Sequence, residues 1–299
     1  MIQMNSLDEC AAYIEQKATI VNGALQRCIE SIIDAPDSIK SAMGYSLLSG
    51  GKRIRATLLL AANEMLGGSE ERALPFACAI EMIHAYSLIH DDLPAMDNDT
   101  LRRGKPTNHV VYGEAMAILA GDGLLNLAFE MMISECLSRG REALLAARFI
   151  VKAAGVSGMI GGQVLDIEAT GQFSGESNLQ KMHLKKTGAL LSSALMAGIA
   201  LNEPPQHTTD AMERYGYHLG MLFQITDDIL DCIGSTEEMG KTIGKDEADH
   251  KTTYVTMYGL DQAKRIAKTQ AELALAALEG VDGTGFFRLL AQYILERKK

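Results

Sequence analysis

Residues 84–99 read HAYSLIHDDLPAMDND and constrain this chain more than any other stretch. The segment begins with apolar residues at helical spacing and ends with Asp91, Asp92, Asp97 and Asp99. Pro94 marks a helix end, because the residue before proline avoids the α region. Carboxylates at a helix C-terminus face the negative end of the macrodipole. Cations must therefore compensate them, and Arg102 and Arg103 follow directly. A second cluster, Asp227-Asp228-Ile229-Leu230-Asp231, lies in another apolar helix pattern. Two such helices with carboxylates at their ends imply a divalent-metal site for a polyanion.

The rest of the chain is built to make helices. There are 6 prolines, no Trp and 16 Met in 299 residues. No stretch alternates long enough to argue for a strand. The formal net charge of −10 argues against nonspecific nucleic-acid binding, which needs a basic surface. Cys10, Cys28, Cys78, Cys136 and Cys232 are scattered without CxxC spacing. Neither a zinc site nor a disulfide framework is indicated, and a reducing, cytoplasmic setting fits. The first residues carry Asp8, Glu9 and Glu15 rather than a basic-then-apolar signal. No window approaches ~18 uninterrupted apolar residues, so no membrane span is expected.

In chain order, Ser6 is expected to cap a first helix, with Glu9 completing a capping box. Pro36 opens a second helix to about residue 48. The turn Ser49-Gly50-Gly51-Lys52-Arg53-Ile54-Arg55 feeds a third, ending near Gly67-Gly68. A fourth covers about 71–93, followed by a polar loop over 95–107. Helices are expected at about 108–119, 122–137 and 141–157, with a break at Gly158–Gly162 before Gln163-Val164-Leu165-Asp166. A loop over 170–177 precedes a helix from Asn178 to about Leu201. Thr209 opens a long helix to Ile233, and 234–251 read as a long functional loop. Two helices close the chain at about 260–278 and 284–297. Nothing marks a domain boundary, so residues 1–299 read as a single all-α domain.

Asp227 and Asp231, four residues apart, share a helix face, and Asp228 lies about 100° away. Enclosed by Phe223, Ile225, Ile229 and Leu230, these charges repel unless a cation intervenes. Mg²⁺ suits hard oxygen ligands and joins one or two carboxylates to substrate phosphates. An EF-hand opening at Asp97 is excluded: its sixth and twelfth positions are Arg102 and Asn108, not glycine and glutamate. The turn at 50–55 offers backbone N–H groups and three cations to a phosphate, but it is not a Walker loop. His84 precedes Asp91 by seven residues and shares nearly the same face.

These residues together resemble the trans-prenyl diphosphate synthase family, with the bacterial farnesyl diphosphate synthases as the nearest pattern. The landmarks stand in family order across the chain: GGKRIR (50–55), HAYSLIHDDLPAMDNDTLRRGKPT (84–107), GGQVLD (161–166), KKTGAL (185–190), FQITDDILD (223–231) and GKTIGKD (240–246). The resemblance implies an isoprenoid synthase-type bundle of antiparallel helices around a deep central cavity, as a homodimer. It implies three Mg²⁺ ions, with Mn²⁺ a substitute. Asp91, Asp92 and Asp97 correspond to the metal side of the first cluster, and Asp227 and Asp231 to that of the second. Arg102, Lys186 and Lys241 would meet the allylic diphosphate. Lys52, Arg55, His84 and Arg103 would hold isopentenyl diphosphate. Thr187 and Gln224 would line the reacting carbons and steady an allylic carbocation.

The implied reaction is farnesyl diphosphate synthesis: dimethylallyl and then geranyl diphosphate condense with isopentenyl diphosphate. The nearest alternative stops at geranyl or continues to geranylgeranyl diphosphate. A class I terpene cyclase also carries two acidic clusters but has no need of the Lys52, Arg55 and His84 site. A non-catalytic synthase subunit usually lacks an acidic cluster, and both are present here. Chain length is expected to depend on Tyr86, five residues and about 7.5 Å along the helix from Asp91. Ser87 is better aligned beneath Asp91, because Tyr86 sits about 140° around the helix. Two departures from the family pattern are Ala56, where proline is usual, and Asn98, within a commonly longer aspartate run. Asp99 receives no role.

Overall fold

The computed structural model describes residues 4–169, 175–233 and 252–297. Fourteen helices are found among them: α1 (Leu7–Glu30), α2 (Asp37–Leu47), α3 (Ile54–Met65), α4 (Glu70–Asp91), α5 (Asn108–Tyr112), α6 (Glu114–Arg139), α7 (Arg141–Ala154), α8 (Met159–Ala169), α9 (Glu176–His183), α10 (Ala189–Ala200), α11 (Gln206–Ile233), α12 (Tyr254–Tyr258), α13 (Leu260–Ala277) and α14 (Gly285–Glu296). A π-helical turn, Leu184–Gly188, joins α9 to α10. The strands in the described residues are a two-residue antiparallel pair, Leu101–Arg102 with Lys105–Pro106.

The centre of the bundle is α4 and α10. In α10 every residue from Leu190 to Ala200 except Ser192 is buried. A helix apolar all round has no solvent face to spare, and α10 is enclosed by α3, α7 and α11. The first helix packs on α3 and α14, and α11 lies along α13. Ser6 caps α1 by accepting from the Glu9 N–H at 3.2 Å. The reciprocal bond is displaced by one residue, as the Glu9 carboxylate accepts from the Asn5 N–H at 2.6 Å.

At two glycine-bearing breaks the boundaries differ from the sequence expectation. The break expected near residue 120 falls at Gly113, whose φ of 85° suits glycine. Gly121 stays helical because it makes room for a neighbour: a Cβ there would lie 2.2 Å from His90 Nε2. The break before α8 is also shorter than expected, so Gly161 and Gly162 are helical.

The expectation of no membrane span rests on uninterrupted apolar runs, and hydropathy averaged along helices qualifies that basis. Segments 70–91, 114–139 and 141–169 are long and apolar enough to cross a membrane by length and composition. Counting only uninterrupted apolar runs missed this. In α4 the apolar residues are core, packed against α3 and α6. Along α6, Ile118, Leu119, Ile133 and Leu137 face outward.

Candidate functional site

The end of α4 is folded back on itself. Its last carbonyls lack intrahelical partners, and the following loop supplies them. The N–H groups of Asp97 and Asp99 donate to the carbonyls of Asp91 and Asp92 at 2.8 and 3.2 Å. Asn98 adopts φ 52° between them and donates to the Leu93 carbonyl at 3.0 Å. Asparagine tolerates that left-handed conformation, so its presence here is compatible with the loop. Main-chain geometry thus brings Asp97 toward Asp91 and Asp99 toward Asp92, which helix periodicity alone would not do.

Cations then close on them. Arg102, on the hairpin, holds Asp92 with a two-pronged grip: Nε lies 2.9 and 3.0 Å from the two oxygens, and Nη2 2.6 Å from Oδ1. Lys186, in the π turn, donates to Asp166 Oδ2 at 2.6 Å and lies 3.8 Å from Asp91 Oδ2. The π turn sits against α8 at Gly162, where a Cβ would lie 2.2 Å from the Lys186 backbone nitrogen. Burial pushes the Asp91 carboxyl up to about 6, opposed by Lys186 and reinforced by Asp97. Burial also raises Asp92, against the pull of Arg102. The cluster therefore carries more negative charge than its local partners comfortably hold.

On the other side, Asp227 is hydrogen-bonded by Arg297, just beyond α14. The same guanidinium donates to the Phe223 carbonyl at 3.1 Å and stacks 4.3 Å from the Phe223 ring centroid. Asp228 and Asp231 are buried, whereas Asp227 is partly open. Gln224 Nε2 donates to Asp228 Oδ1 at 3.1 Å, and Thr187 Oγ1 donates to Gln224 Oε1 at 3.0 Å. Burial lowers Arg55, opposed by the charges of Glu81 on α4 and Asp227 on α11.

A third region is cationic. A cleft is lined by Tyr45, Arg53, His84, Asp92, Arg102 and Arg103, among others. His84 is held well below its usual pKa, first by burial and then by Arg55, Arg103, Arg102 and Arg53. It is therefore a neutral imidazole among guanidiniums. Burial likewise lowers Arg55, whose Nε has no hydrogen-bond partner among the described residues. Lys52 Nζ lies 5.4 Å from the Tyr293 ring centroid. Arg103 donates to the Gly50 carbonyl, fastening the hairpin to the glycine turn. Arg53 is structural. It bonds Asn22 at 2.9 Å, Glu81 at 3.2 Å and the Leu47 carbonyl at 2.5 Å, while Glu81 accepts from the Ala56 N–H at 3.1 Å.

Most residues singled out in the sequence are brought together. Asp91, Asp97, Lys186 and Arg102 share one electrostatic environment. His84, Arg55, Arg102 and Arg103 share another. Lys241 lies outside the described residues. Sequence reasoning gave no role to Asp166, Arg297 or Tyr254. Asp166 stood inside the GGQVLD landmark, which was the available signal. Arg297 and Tyr254 offered none, since only tertiary packing brings them to α11.

The polyprenyl synthetase family model matches residues 36–280. The chain belongs to the polyprenyl synthetase family. A farnesyl diphosphate synthase from Geobacillus stearothermophilus is 45% identical over 276 residues, covering 91% of this chain and 92% of that protein. A chloroplastic geranylgeranyl pyrophosphate synthase from Capsicum annuum is 46% identical over 289 residues, covering 95% and 78%. Among solved structures, a geranyltransferase from Legionella pneumophila superposes with a TM-score of 0.87 at 32% identity, covering 98% and 99%. This polyprenyl synthetase is therefore a prenyltransferase with an all-α isoprenoid synthase fold.

The carboxylates suit a divalent cation. Among the described residues, no three His, Cys, Asp or Glu side chains are grouped so that they alone could hold a metal ion. Mg²⁺ rarely uses one, since it takes one or two carboxylates and completes its shell with water and substrate phosphate. The donors are all hard oxygens. Stand-in cations already sit at them: Lys186 near Asp91 and Arg297 on Asp227.

Proposed function

We propose that this prenyltransferase makes farnesyl diphosphate, condensing isopentenyl diphosphate first with dimethylallyl and then with geranyl diphosphate. The observation that carries this reading is two kinds of anion site that meet at Arg102. One gathers Lys186 and Arg102 at the α4 carboxylates. The other is an arginine-rich cleft around a neutral His84, in which Asp92 is the acidic lining residue and is already held by Arg102. A cyclase handling one diphosphate needs only the first.

Asp91, Asp92, Asp97, Asp227 and Asp231 would hold Mg²⁺, or Mn²⁺ in its place. The metal supplies Lewis-acid stabilisation of the departing pyrophosphate. Lys186 and Arg102 bind and orient that diphosphate, with Lys241 assigned to the same group by family pattern. Lys52, Arg55, His84 and Arg103 bind the isopentenyl diphosphate and aim its double bond at the allylic carbon. Thr187 and Gln224 place oxygens where positive charge develops, which is electrostatic catalysis by preorganised dipoles. The apolar bundle excludes water that would quench the carbocation. The remaining proton leaves to the released pyrophosphate.

Tyr86 supports a fifteen-carbon product, because it is buried on α4 one turn before the metal-side cluster. The 46% identity to a geranylgeranyl pyrophosphate synthase supports the longer alternative. The outward apolar residues of α6 support a homodimer through that helix. Product analysis after incubation with dimethylallyl and isopentenyl diphosphates and Mg²⁺ tests the assignment. Farnesyl diphosphate as the main product is expected. A geranylgeranyl or a cyclic product overturns it.

A further inference from the structure

The second acidic cluster does not present three equivalent carboxylates. Asp228 is buried, and its two oxygens are bonded to different partners. Oδ2 accepts from the Tyr254 backbone N–H at 2.9 Å, at the start of α12. Oδ1 accepts from Gln224 Nε2 at 3.1 Å, one helical turn earlier. Gln224 Oε1 in turn accepts the Thr187 hydroxyl at 3.0 Å. These bonds make one directed chain: Tyr254 N–H to Asp228, Gln224 N–H to Asp228, Thr187 O–H to Gln224.

We propose that Asp228 is a positioning residue that fixes the orientation of the Gln224 amide, and so keeps the Thr187 hydroxyl oxygen free to face the reacting carbon. The inference rests on the proposed role of Thr187 and Gln224 beside the carbocation.

The argument is one of donors and acceptors. A side-chain amide can sit either way round, and its partners decide which. The Tyr254 N–H is a fixed donor, so the oxygen facing it must accept. The oxygen facing Gln224 must also accept if Nε2 is to point there. An ionised carboxylate accepts at both positions, and an asparagine can accept at only one. With Nε2 held at Asp228, Oε1 faces Thr187 and takes its proton. The lone pairs of Thr187 Oγ1 then remain for positive charge nearby. If the amide turned over, Nε2 would donate to Thr187 and occupy one of those lone pairs. The carboxylate charge also polarises the chain in the helpful direction, making the threonine oxygen more electron-rich. The fork itself lies in tertiary structure, since Tyr254 is 26 residues beyond Asp228.

Asp228→Asn is nearly isosteric and tests this directly. Its amide must present oxygen to the Tyr254 N–H, so its nitrogen meets Gln224 and reverses that amide. The expected result is a fall in kcat on the order of tenfold to a hundredfold. KM for both diphosphates should change less than about twofold, and Mn²⁺ affinity by electron paramagnetic resonance should match the parent. Asp228→Asn combined with Gln224→Ala should be no slower than Gln224→Ala alone, because both act through one amide. A loss of Mn²⁺ affinity comparable to that of Asp227→Asn would make Asp228 a metal ligand and overturn the inference. Additive losses in the double variant would also overturn it. If instead Gln224→Ala and Thr187→Ala both retain parental kcat, the proposed role of those two residues is what fails.

Discussion

Arg297 closes on Asp227 from the C-terminal end of the described chain, stacking on Phe223 as it does so. The contact joins α14 to α11 across 70 residues of sequence. It places a fixed organic cation on a carboxylate assigned to divalent metal. The two cations cannot share the same oxygen without repulsion, so metal binding at Asp227 must displace or weaken the Arg297 contact. Arg297→Ala should therefore tighten Mn²⁺ binding in the absence of substrate. The gain should be roughly twofold to fivefold, the scale of a partly exposed ion pair. A Mn²⁺ titration followed by electron paramagnetic resonance reads this directly, with Asp227→Ala as the weakened control. An unchanged or weaker affinity in Arg297→Ala would show that the guanidinium does not compete.

Asp91 makes a prediction about stability in metal-free protein. Its carboxyl is raised from 3.8 to about 6, chiefly by burial. The folded state therefore holds its proton more tightly than the unfolded chain. That contribution is fully present below pH ~4 and is lost as pH rises through about 6. Asp91→Asn has no charge to bury. With chelator present, it should match the parent near pH 4 and exceed it by on the order of 1–3 kcal/mol above pH 7. Urea melts across that range measure the difference. A variant no more stable than the parent at pH 8 would contradict the burial argument.

Lys186 is held between two carboxylates, 2.6 Å from Asp166 and 3.8 Å from Asp91. The shorter contact aims the ammonium. Asp166→Asn keeps the shape but removes the charge that pins it. KM for the allylic diphosphate should rise several-fold, while KM for isopentenyl diphosphate stays unchanged. Steady-state kinetics with each substrate varied in turn separates the two. Equal changes in both would indicate a general disturbance of α8.

The all-α class was legible because the apolar pattern, the scarcity of proline and the helix caps agreed. Asp91, Asp92 and Asp97 were legible as a group because they crowd a helix end. What the pattern could not supply was the fold-back that returns Asp97 and Asp99 to the carbonyls of Asp91 and Asp92. Nor could it distinguish Asp228 from its neighbours, since the Tyr254 N–H that claims it comes from a distant element. Gly121 misled the boundary at α6 for a related reason: its small size serves the neighbouring His90 rather than a turn. Arg53, Lys52 and Arg55 look alike in sequence. Only the Glu81 and Leu47 contacts identify Arg53 as the structural one.

Metal removal bears on the whole first site. Asp91 and Asp92 are raised by burial even with Lys186 and Arg102 beside them. Their surplus charge opposes an incoming diphosphate unless further cations enter. Turnover should fall below detection after exhaustive chelation and return on adding Mg²⁺ or Mn²⁺. Coupled pyrophosphate release provides the assay. Persistent turnover in chelator would refute the metal-assisted ionisation.

Product length is the sharpest test of how α4 is used. Tyr86 is 6% exposed, and its ring meets His90 edge-on at 5.7 Å. Ser87, one residue later, is half-buried, and its hydroxyl is bonded to the His84 carbonyl at 2.9 Å. Tyr86 is thus the bulky buried side chain on this turn, and Ser87 is the small residue closer to the line of Asp91. Tyr86→Ala removes the ring and should shift products beyond farnesyl, at some cost in stability for the lost packing. Ser87→Phe should act oppositely, filling the same side and enriching geranyl diphosphate. Chromatography of the dephosphorylated products, with dimethylallyl diphosphate as starter, reads both. Opposite shifts from the two substitutions would locate the cavity floor on this turn of α4. An unchanged distribution in Tyr86→Ala would remove Tyr86 from that role, because the substitution deletes the whole ring from the turn.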